Sequence, residues 1–479
     1  MIEVLTGVAA ARVPEAVFFP FDDGNVPFAA GLRLRMIPGK QVGRPNPIVL
    51  PHGRPGTPDD ARARFYGTVI PFEDGLRMWY LGRSALDDSR KDGRGLRVCY
   101  ATSRDGVHWE KPELGLVEIR GSRRHNVVDL RGGRADVTAL PIIHDPADPN
   151  ASRRFKAVFE SPEYDNRFAV AYSPDGLRWT ESPHNPVGPI LEQTGLIRFR
   201  DCYYVNGQGG DHFHGAPRRL ITFASYDFEH WLETPCLGFR RDSEPPRAVS
   251  TPATTGEEVH LGAGLWDRGN VILGVTDLWH GHPSGDRART VQDLGLVITH
   301  DALHYREPVP DFTLVPAAGE LEAPPNRGDT LSHGQGMANV GERTLLWYEI
   351  WLHGEIRLAS WDRDRLGYYE PSGQMGAGEP QCVTCPFRPR NGAPRVFVNA
   401  DGLSGEGTLV VEVLDEQFRP LPGYSGADAL PLRGSGLRVP VLWKGREALR
   451  GVRGPIRLRV RFEGAGRSAV RLFAMYVTG

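Results

Sequence analysis

Lysine is scarce in this chain: of 57 basic residues only Lys40, Lys91, Lys111, Lys156 and Lys444 are lysines, and the rest are arginines. The bias carries no functional reading. Net charge is also missing, at a formal −2, with both signs scattered along the sequence. No basic face exists to neutralise a phosphate backbone, so nucleic acid is not an expected partner. The cysteines are few and odd in number (Cys99, Cys202, Cys236, Cys382, Cys385), which does not suit a disulfide framework. Cys382-Val-Thr-Cys385 has a suggestive spacing, but no second Cys or His pair completes four ligands. It reads as two ordinary thiols near a domain boundary, and no metal or cofactor is expected. No run of about 18 apolar residues occurs, so no membrane span is expected. Met1 to Arg12, with Glu3 inside it, lacks the basic start and long apolar core of a secretory signal, and a cytoplasmic location is expected. Amphipathic helices longer than about two turns are missing too.

Turn residues are abundant, with 57 glycines and 40 prolines, and they punctuate short alternating apolar segments. Leu76-Arg-Met-Trp-Tyr80, Arg154-Phe-Lys-Ala-Val-Phe159, Cys202-Tyr-Tyr-Val205, Val271-Ile-Leu-Gly274 and Thr344-Leu-Leu-Trp-Tyr348 read as strands. An all-β class follows.

A strand-plus-turn unit recurs. Ala101-Thr-Ser-Arg-Asp105-Gly-Val-His-Trp109 is followed by Ala171-Tyr-Ser-Pro-Asp175-Gly-Leu-Arg-Trp179 and Ala224-Ser-Tyr-Asp227-Phe-Glu-His-Trp231. Weaker copies stand at Thr299-His-Asp301-Ala-Leu-His-Tyr305 and Ala359-Ser-Trp-Asp362. Five copies at intervals of about 50 to 75 residues indicate a propeller or solenoid. The turn Asp accepts hydrogen bonds from the backbone N–H groups that follow it, and the aromatic packs between neighbouring units. These acids are therefore read as scaffold. Beyond Pro371 a linker-like stretch, Ser372-Gly-Gln-Met-Gly-Ala-Gly-Glu379, leads into a tail of alternating strands that suggests a sandwich.

The Asp-Gly-x-x-Trp repeats, Met78-Trp-Tyr80, Val411-Glu-Val-Leu-Asp-Glu416, Leu421-Pro-Gly-Tyr-Ser425 and Leu442-Trp-Lys444 together resemble the propeller glycosidases of the invertase and arabinofuranosidase type. The resemblance spans nearly the whole chain. It implies a five-bladed β-propeller over residues 1–371, followed by a β-sandwich over 380–479. It also implies three carboxylates on the inner strands of the first three blades. Asp22 or Asp23, in Phe18-Phe-Pro-Phe21-Asp22-Asp23-Gly24, takes the place of the nucleophile or base. Asp145, in Ile142-Ile-His-Asp145-Pro146, matches the acid that holds the sugar and stabilises the transition state, with His144 where the family has Arg. Glu192, at the head of a strand, matches the general acid.

Cleaving a glycosidic bond requires one carboxylic acid to protonate the leaving oxygen and a carboxylate to supply or activate the nucleophile. Glycine-flanked polar segments offer binding candidates: Gln208, Asp211 and His212 in one, Arg327 in a second, and His333 in a third. The expectation is a glycoside hydrolase-like enzyme, exo-acting on a furanoside or small oligosaccharide. The alternatives are non-hydrolytic acid–base chemistry on a small metabolite, such as cyclisation or elimination, and a non-catalytic sugar-binding protein.

Overall fold

A computed structural model describes the chain except for residues 7–8, 40–44, 88–95, 210–217, 242–255, 283–285, 287–288, 318–329, 352, 374–378 and 391. The fold is all-β, with only short 3-10 turns as helix among the described residues. No described helix is long and apolar enough to cross a membrane.

Six strands come first: β1 (Ile2–Thr6), β2 (Ala9–Val13), β3 (Glu15–Phe18), β4 (Phe28–Ala30), β5 (Leu32–Met36) and β6 (Ile48–Leu50). Five four-stranded antiparallel groups follow, the first and last of which are joined by one parallel strand pair into an eight-stranded sheet. The first holds β7 (Arg62–Phe72), β8 (Gly75–Arg83), β9 (Arg97–Ser103) and β10 (Trp109–Glu110). The second holds β11 (Ile142–His144), β12 (Phe155–Glu160), β13 (Phe168–Ser173) and β14 (Thr180–Glu181). The third holds β15 (Glu192–Phe199), β16 (Cys202–Gly209), β17 (Arg219–Ser225) and β18 (Cys236–Phe239). The fourth holds β19 (Glu257–Asp267), β20 (Ile272–His280), β21 (Val291–Thr299) and β22 (Thr313–Val315). The fifth holds β23 (Leu331–Val340), β24 (Arg343–Ile350) and β25 (Ile356–Asp362), and takes β6 from the start of the chain as its fourth strand. Second strands are largely buried, β20 at every position, because each sheet is covered on both faces.

The first strands are neighbours in the order β7, β11, β15, β19, β23, and β23 returns to β7 through a bridge between Gln335 and Thr68. The repeated turns join adjacent sheets. Asp105 Oδ1 accepts from the N–H groups of Val107 and His108, both at 2.8 Å. Asp175, Asp227 and Asp301 repeat the arrangement. The carbonyls these turns expose are acceptors for the sheet before: Trp347 of the fifth sheet donates to Gly106, and Trp79 of the first to Gly176. A hydrogen bond and an interdigitated indole thus fix these two junctions at once.

The remaining strands, β26 (Gly367–Pro371), β27 (Gln381–Val383), β28 (Phe387–Pro389), β29 (Arg395–Asp401), β30 (Thr408–Asp415), β31 (Gly436–Pro440), β32 (Ile456–Glu463) and β33 (Arg471–Thr478), form two sheets over one apolar core. The expected limits of 1–371 and 380–479 need correction here. The strands β1 and β4 pair with β28 and β27, while β3 pairs with β33 and β5 with β26. The chain start therefore belongs to the two-sheet unit, where Ile2, Val4 and Phe18 complete the core of the tail. A buried carboxylate ties this unit to the five sheets: Asp364 accepts from Arg268, Asn339 (2.9 Å) and Tyr476 (2.9 Å).

Candidate functional site

The first strands run in one sense, so their starts gather at one end. Halfway along, Gln335 spans the group. Its Oε1 accepts from Leu196 N in β15 (2.9 Å) and its Nε2 donates to Ile142 O in β11 (3.4 Å). Gly334 beside it permits this approach, since a Cβ there would lie 2.4 Å from the carbonyl oxygen of Gly67.

Between Gln335 and the strand starts lies a polar cluster. First strands supply Arg64, Tyr66, Glu192, His260, Ser332 and His333. Register adds residues of the second strands, because directly paired positions share a face: Gln208 opposite Glu192, Asp277 opposite His260, and Glu349 opposite Ser332. Of the three carboxyls, Asp277 and Glu349 are 0% exposed, while Glu192 is partly exposed.

Glu349 is fully engaged. It accepts from Arg64 Nε at 3.1 Å and from Phe65 N at 2.7 Å. The Arg64 guanidinium also lies 3.7 Å from the centre of the Tyr66 ring. Burial drives the Tyr66 hydroxyl well above its ordinary value; the Arg64 charge opposes this, and Glu192 and Glu349 add to it. Tyr66 is therefore a proton donor, aimed at Ser332 Oγ. Asp277 accepts from Gln292 Nε2 at 2.8 Å, and its Oδ2 lies 3.0 Å from His260 Nδ1. Burial raises its carboxyl well above the usual range, and the negative charges of Glu349 and Glu192 push the same way. His333 is pushed down to about 4 by burial, against the pull of the Gly334 carbonyl.

The structure brings together Glu192, Gln208 and His333 of the expected residues. It does not bring Asp145, Asp22 or Asp23 to them. Asp145 is buried between the second and third sheets, where it accepts from Arg198 (2.9 Å) and Tyr203 (2.7 Å) and lies 3.7 Å from Lys156 Nζ. Burial opposes its ionisation, but Tyr203, Arg198 and Lys156 outweigh that and hold the carboxyl below its ordinary value. Arg198 stands six residues beyond Glu192 in the same strand, about 20 Å at the rise of an extended chain. Asp145 and Glu192 are therefore at opposite ends of β15.

Asp22 caps its own turn. It accepts from Gly24 N at 3.1 Å and Asn25 Nδ2 at 2.7 Å, and lies 3.1 Å from His300 Nε2. That turn meets Cys385 of the two-sheet unit. Asp23 is exposed and paired with Arg306. Both acids serve the junction of the fourth sheet with the tail, because the strand ahead of them pairs with β33 and not with a first strand. Asp211, His212 and Arg327 lie outside the described residues. At the edge of the cluster both nitrogens of His280 are taken, Nδ1 lying 2.7 Å from Glu257 and Nε2 3.1 Å from Asp293.

Sequence reading missed Arg64, Tyr66, His260, Asp277 and Glu349. A signal was present for two of them. Asp277 and Glu349 interrupt the apolar runs Val275-Thr-Asp277-Leu-Trp279 and Trp347-Tyr-Glu349-Ile350, and a carboxyl inside a buried strand demands a partner.

No family model matches this sequence, and no curated protein is similar to it. Solved structures resemble the fold. A glycosyl hydrolase from Bacteroides ovatus shares 14% identity over 69% of this chain and 96% of its own, with a TM-score of 0.44. A fructofuranosidase variant from Schwanniomyces occidentalis, complexed with fructosylnystose, shares 10% over 92% of this chain and 99% of its own, at 0.38. A Bombyx mori β-fructofuranosidase variant in complex with sucrose shares 11% over 92% and 94%, at 0.39.

Proposed function

We propose that the five sheets are the blades of a five-bladed β-propeller with the two-sheet unit as a β-sandwich on its flank, and that the protein is a glycosidase-like enzyme. The neighbour order of the first strands supports the architecture, as does β6, which carries the chain start into the fifth sheet. Inner strands facing one channel are the form a propeller takes.

The observation that carries the chemistry is Glu192, the partly exposed carboxyl of a cluster whose other two carboxyls are buried. A carboxyl that reaches the channel while backed by buried negative charge is suited to hold a proton and deliver it to a leaving oxygen. Arg64, Tyr66, Gln208 and His260 stand around it as donors and acceptors for sugar hydroxyls. Gln335, spanning the channel behind them, favours the end of a short saccharide over a chain threaded through. The reading is therefore an exo-acting glycosidase for a furanoside or small oligosaccharide, with Glu192 as general acid. The motif resemblance points the same way.

The test is turnover of aryl furanosides and aryl pyranosides, with good and poor leaving groups, by the wild type and Glu192→Gln. The expected result is hydrolysis of at least one series and a loss of roughly 10² to 10⁴-fold in the variant on poor leaving groups, with partial recovery on good ones. No hydrolysis of any glycoside by the wild type, or equal loss on both kinds of leaving group, overturns the reading.

A further inference from the structure

Two buried atoms that face each other lack a hydrogen-bond partner: Asp277 Oδ1 and His333 Nε2, 3.4 Å apart. The protons around them can be placed from their neighbours. The Nε2 of Gln292 meets the Leu331 carbonyl, which only accepts, so this end of the amide is the NH₂ and donates to Asp277 Oδ2. His260 Nδ1 approaches the same oxygen. His333 Nδ1 lies 3.1 Å from the Gly334 carbonyl, another group that can only accept, so Nδ1 carries the hydrogen and a neutral His333 presents a lone pair at Nε2. An ionised Asp277 would then set a carboxylate oxygen against that lone pair in a site closed to water. One proton between the two atoms removes the conflict.

We propose that Asp277 is protonated at Oδ1 at neutral pH and donates to His333 Nε2, forming a chain from His260 through Asp277 to His333. In this chain Asp277 is a positioning residue. Its Oδ2 accepts from His260 Nδ1, which leaves Nε2 of that imidazole as the basic nitrogen. As a neutral group, Asp277 also keeps a third negative charge out of the space shared by Glu192 and Glu349. The charged and titratable groups facing it are His260 and Glu192 from β19 and β15, Glu349 from β24, and His333 from β23, with Arg64 of β7 already committed to Glu349. Burial with two carboxylates nearby opposes the ionised form. Protonation of Asp277 does not depend on which bond the site cleaves; only its consequence for turnover rests on the glycosidase reading.

The experiment is read without substrate on the full chain. The ¹⁵N resonances of the histidines at neutral pH should show His333 as a neutral imidazole protonated at Nδ1. The infrared spectrum of protein labelled with ¹³C at the Asp carboxyls should contain a protonated-carboxyl band that is absent from Asp277→Asn. An imidazolium pattern for His333, or no such band, overturns the proposal in favour of a buried ion pair. Stability tests whether the Asp277–His333 pair holds the extra proton at all. A folded-state carboxyl raised above its unfolded value takes up a proton on folding, so the wild type should lose stability relative to Asp277→Asn as pH rises from the ordinary carboxylate range. An Asp277 of ordinary carboxylate pKa facing a neutral His333 would show no such loss. Asp277→Ala strands Gln292 and both histidines and should unfold at lower temperature, while Asn, whose NH₂ can donate to His333, restores the loss. An Asn variant as unstable as Ala counts against the chain.

Discussion

Trp79 of the first sheet donates its indole N–H to the carbonyl of Gly176, 2.6 Å away in the turn of the second. Gly176 has φ +76°, and a Cβ there would lie 2.6 Å from Trp79 Cζ2. Glycine is required twice over, by the left-handed backbone and by the indole. Gly176→Ala should therefore lose about 3 kcal/mol in denaturant unfolding. Trp79→Phe, which keeps the ring and removes one hydrogen bond, should lose about 1 kcal/mol from that bond, with any cavity adding to it. A Gly176→Ala protein of wild-type stability would mean that the two sheets are not locked through this turn.

Asp145 separates stability from catalysis. Its place at the far end of β15 from Glu192, against Arg198, Tyr203 and Lys156, makes it the anion that joins the second and third sheets. Asp145→Asn should cost about 2 kcal/mol with kcat and KM for the best glycoside unchanged. A selective fall in kcat at unchanged melting temperature would return Asp145 to the catalytic role that the Asp-Pro motif implied.

The outcome for Asp145 shows what could be read from sequence and what could not. The turns at Asp105, Asp175, Asp227 and Asp301 were legible because each is local: strand, small residue, acid, glycine or aromatic, all within nine residues. Glu192 and Gln208 were singled out separately, the one by the motif resemblance and the other as a polar residue between glycines; their pairing across one tight turn is what the fold adds. Asp22 was misplaced because its surroundings are distant in sequence. His300, which lies against it, is 278 residues away, and the pairing of β3 with β33 follows from the closing of an apolar core that no motif announces. Asp277 and Glu349 were hidden inside apolar runs, where only the stacking of first strands reveals that their carboxyls meet.

The turn acids also carry a pH dependence. Asp227 Oδ2 lies 2.7 Å from His230 Nδ1, and Asp105–His108 and Asp301–His304 repeat the pair at the same distance. The hydrogen bond to Asp227, with its charge, raises the His230 imidazole above its ordinary value. Burial opposes ionisation of Asp227, but bonds from His230 and Glu229 outweigh it and hold the carboxyl well below its own. The acid's contribution to stability is present above the unfolded carboxylate range and is lost as pH falls through the folded value. The histidine's is present below the unfolded imidazole value and is lost as pH rises through the raised one. Titration of His230 by NMR should give a raised midpoint in the wild type that returns to the ordinary imidazole range in Asp227→Asn. An unchanged midpoint would show that the pair does not form in solution.

Glu349 should govern the pH profile of turnover without touching the substrate. It is 0% exposed and holds the nearly buried Arg64 through Nε, while the charge of Glu192 also acts on Arg64. Glu349→Gln removes one negative charge and releases a guanidinium whose remaining anionic neighbour is Glu192. Breaking such a buried pair should cost about 3 kcal/mol of stability. The released positive charge also favours the ionised form of Glu192, so the proton is lost at lower pH. If Glu192 must be protonated to act, the alkaline limb of kcat/KM should shift toward acid in Glu349→Gln, while the acidic limb, set by another group, should move less. A double variant in which Arg64→Gln accompanies Glu349→Gln removes the opposite charge as well and should move the limb back toward its wild-type position. A limb that stays in place in Glu349→Gln, or one that shifts equally in the double variant, would mean that Arg64 does not transmit the charge of Glu349 to Glu192.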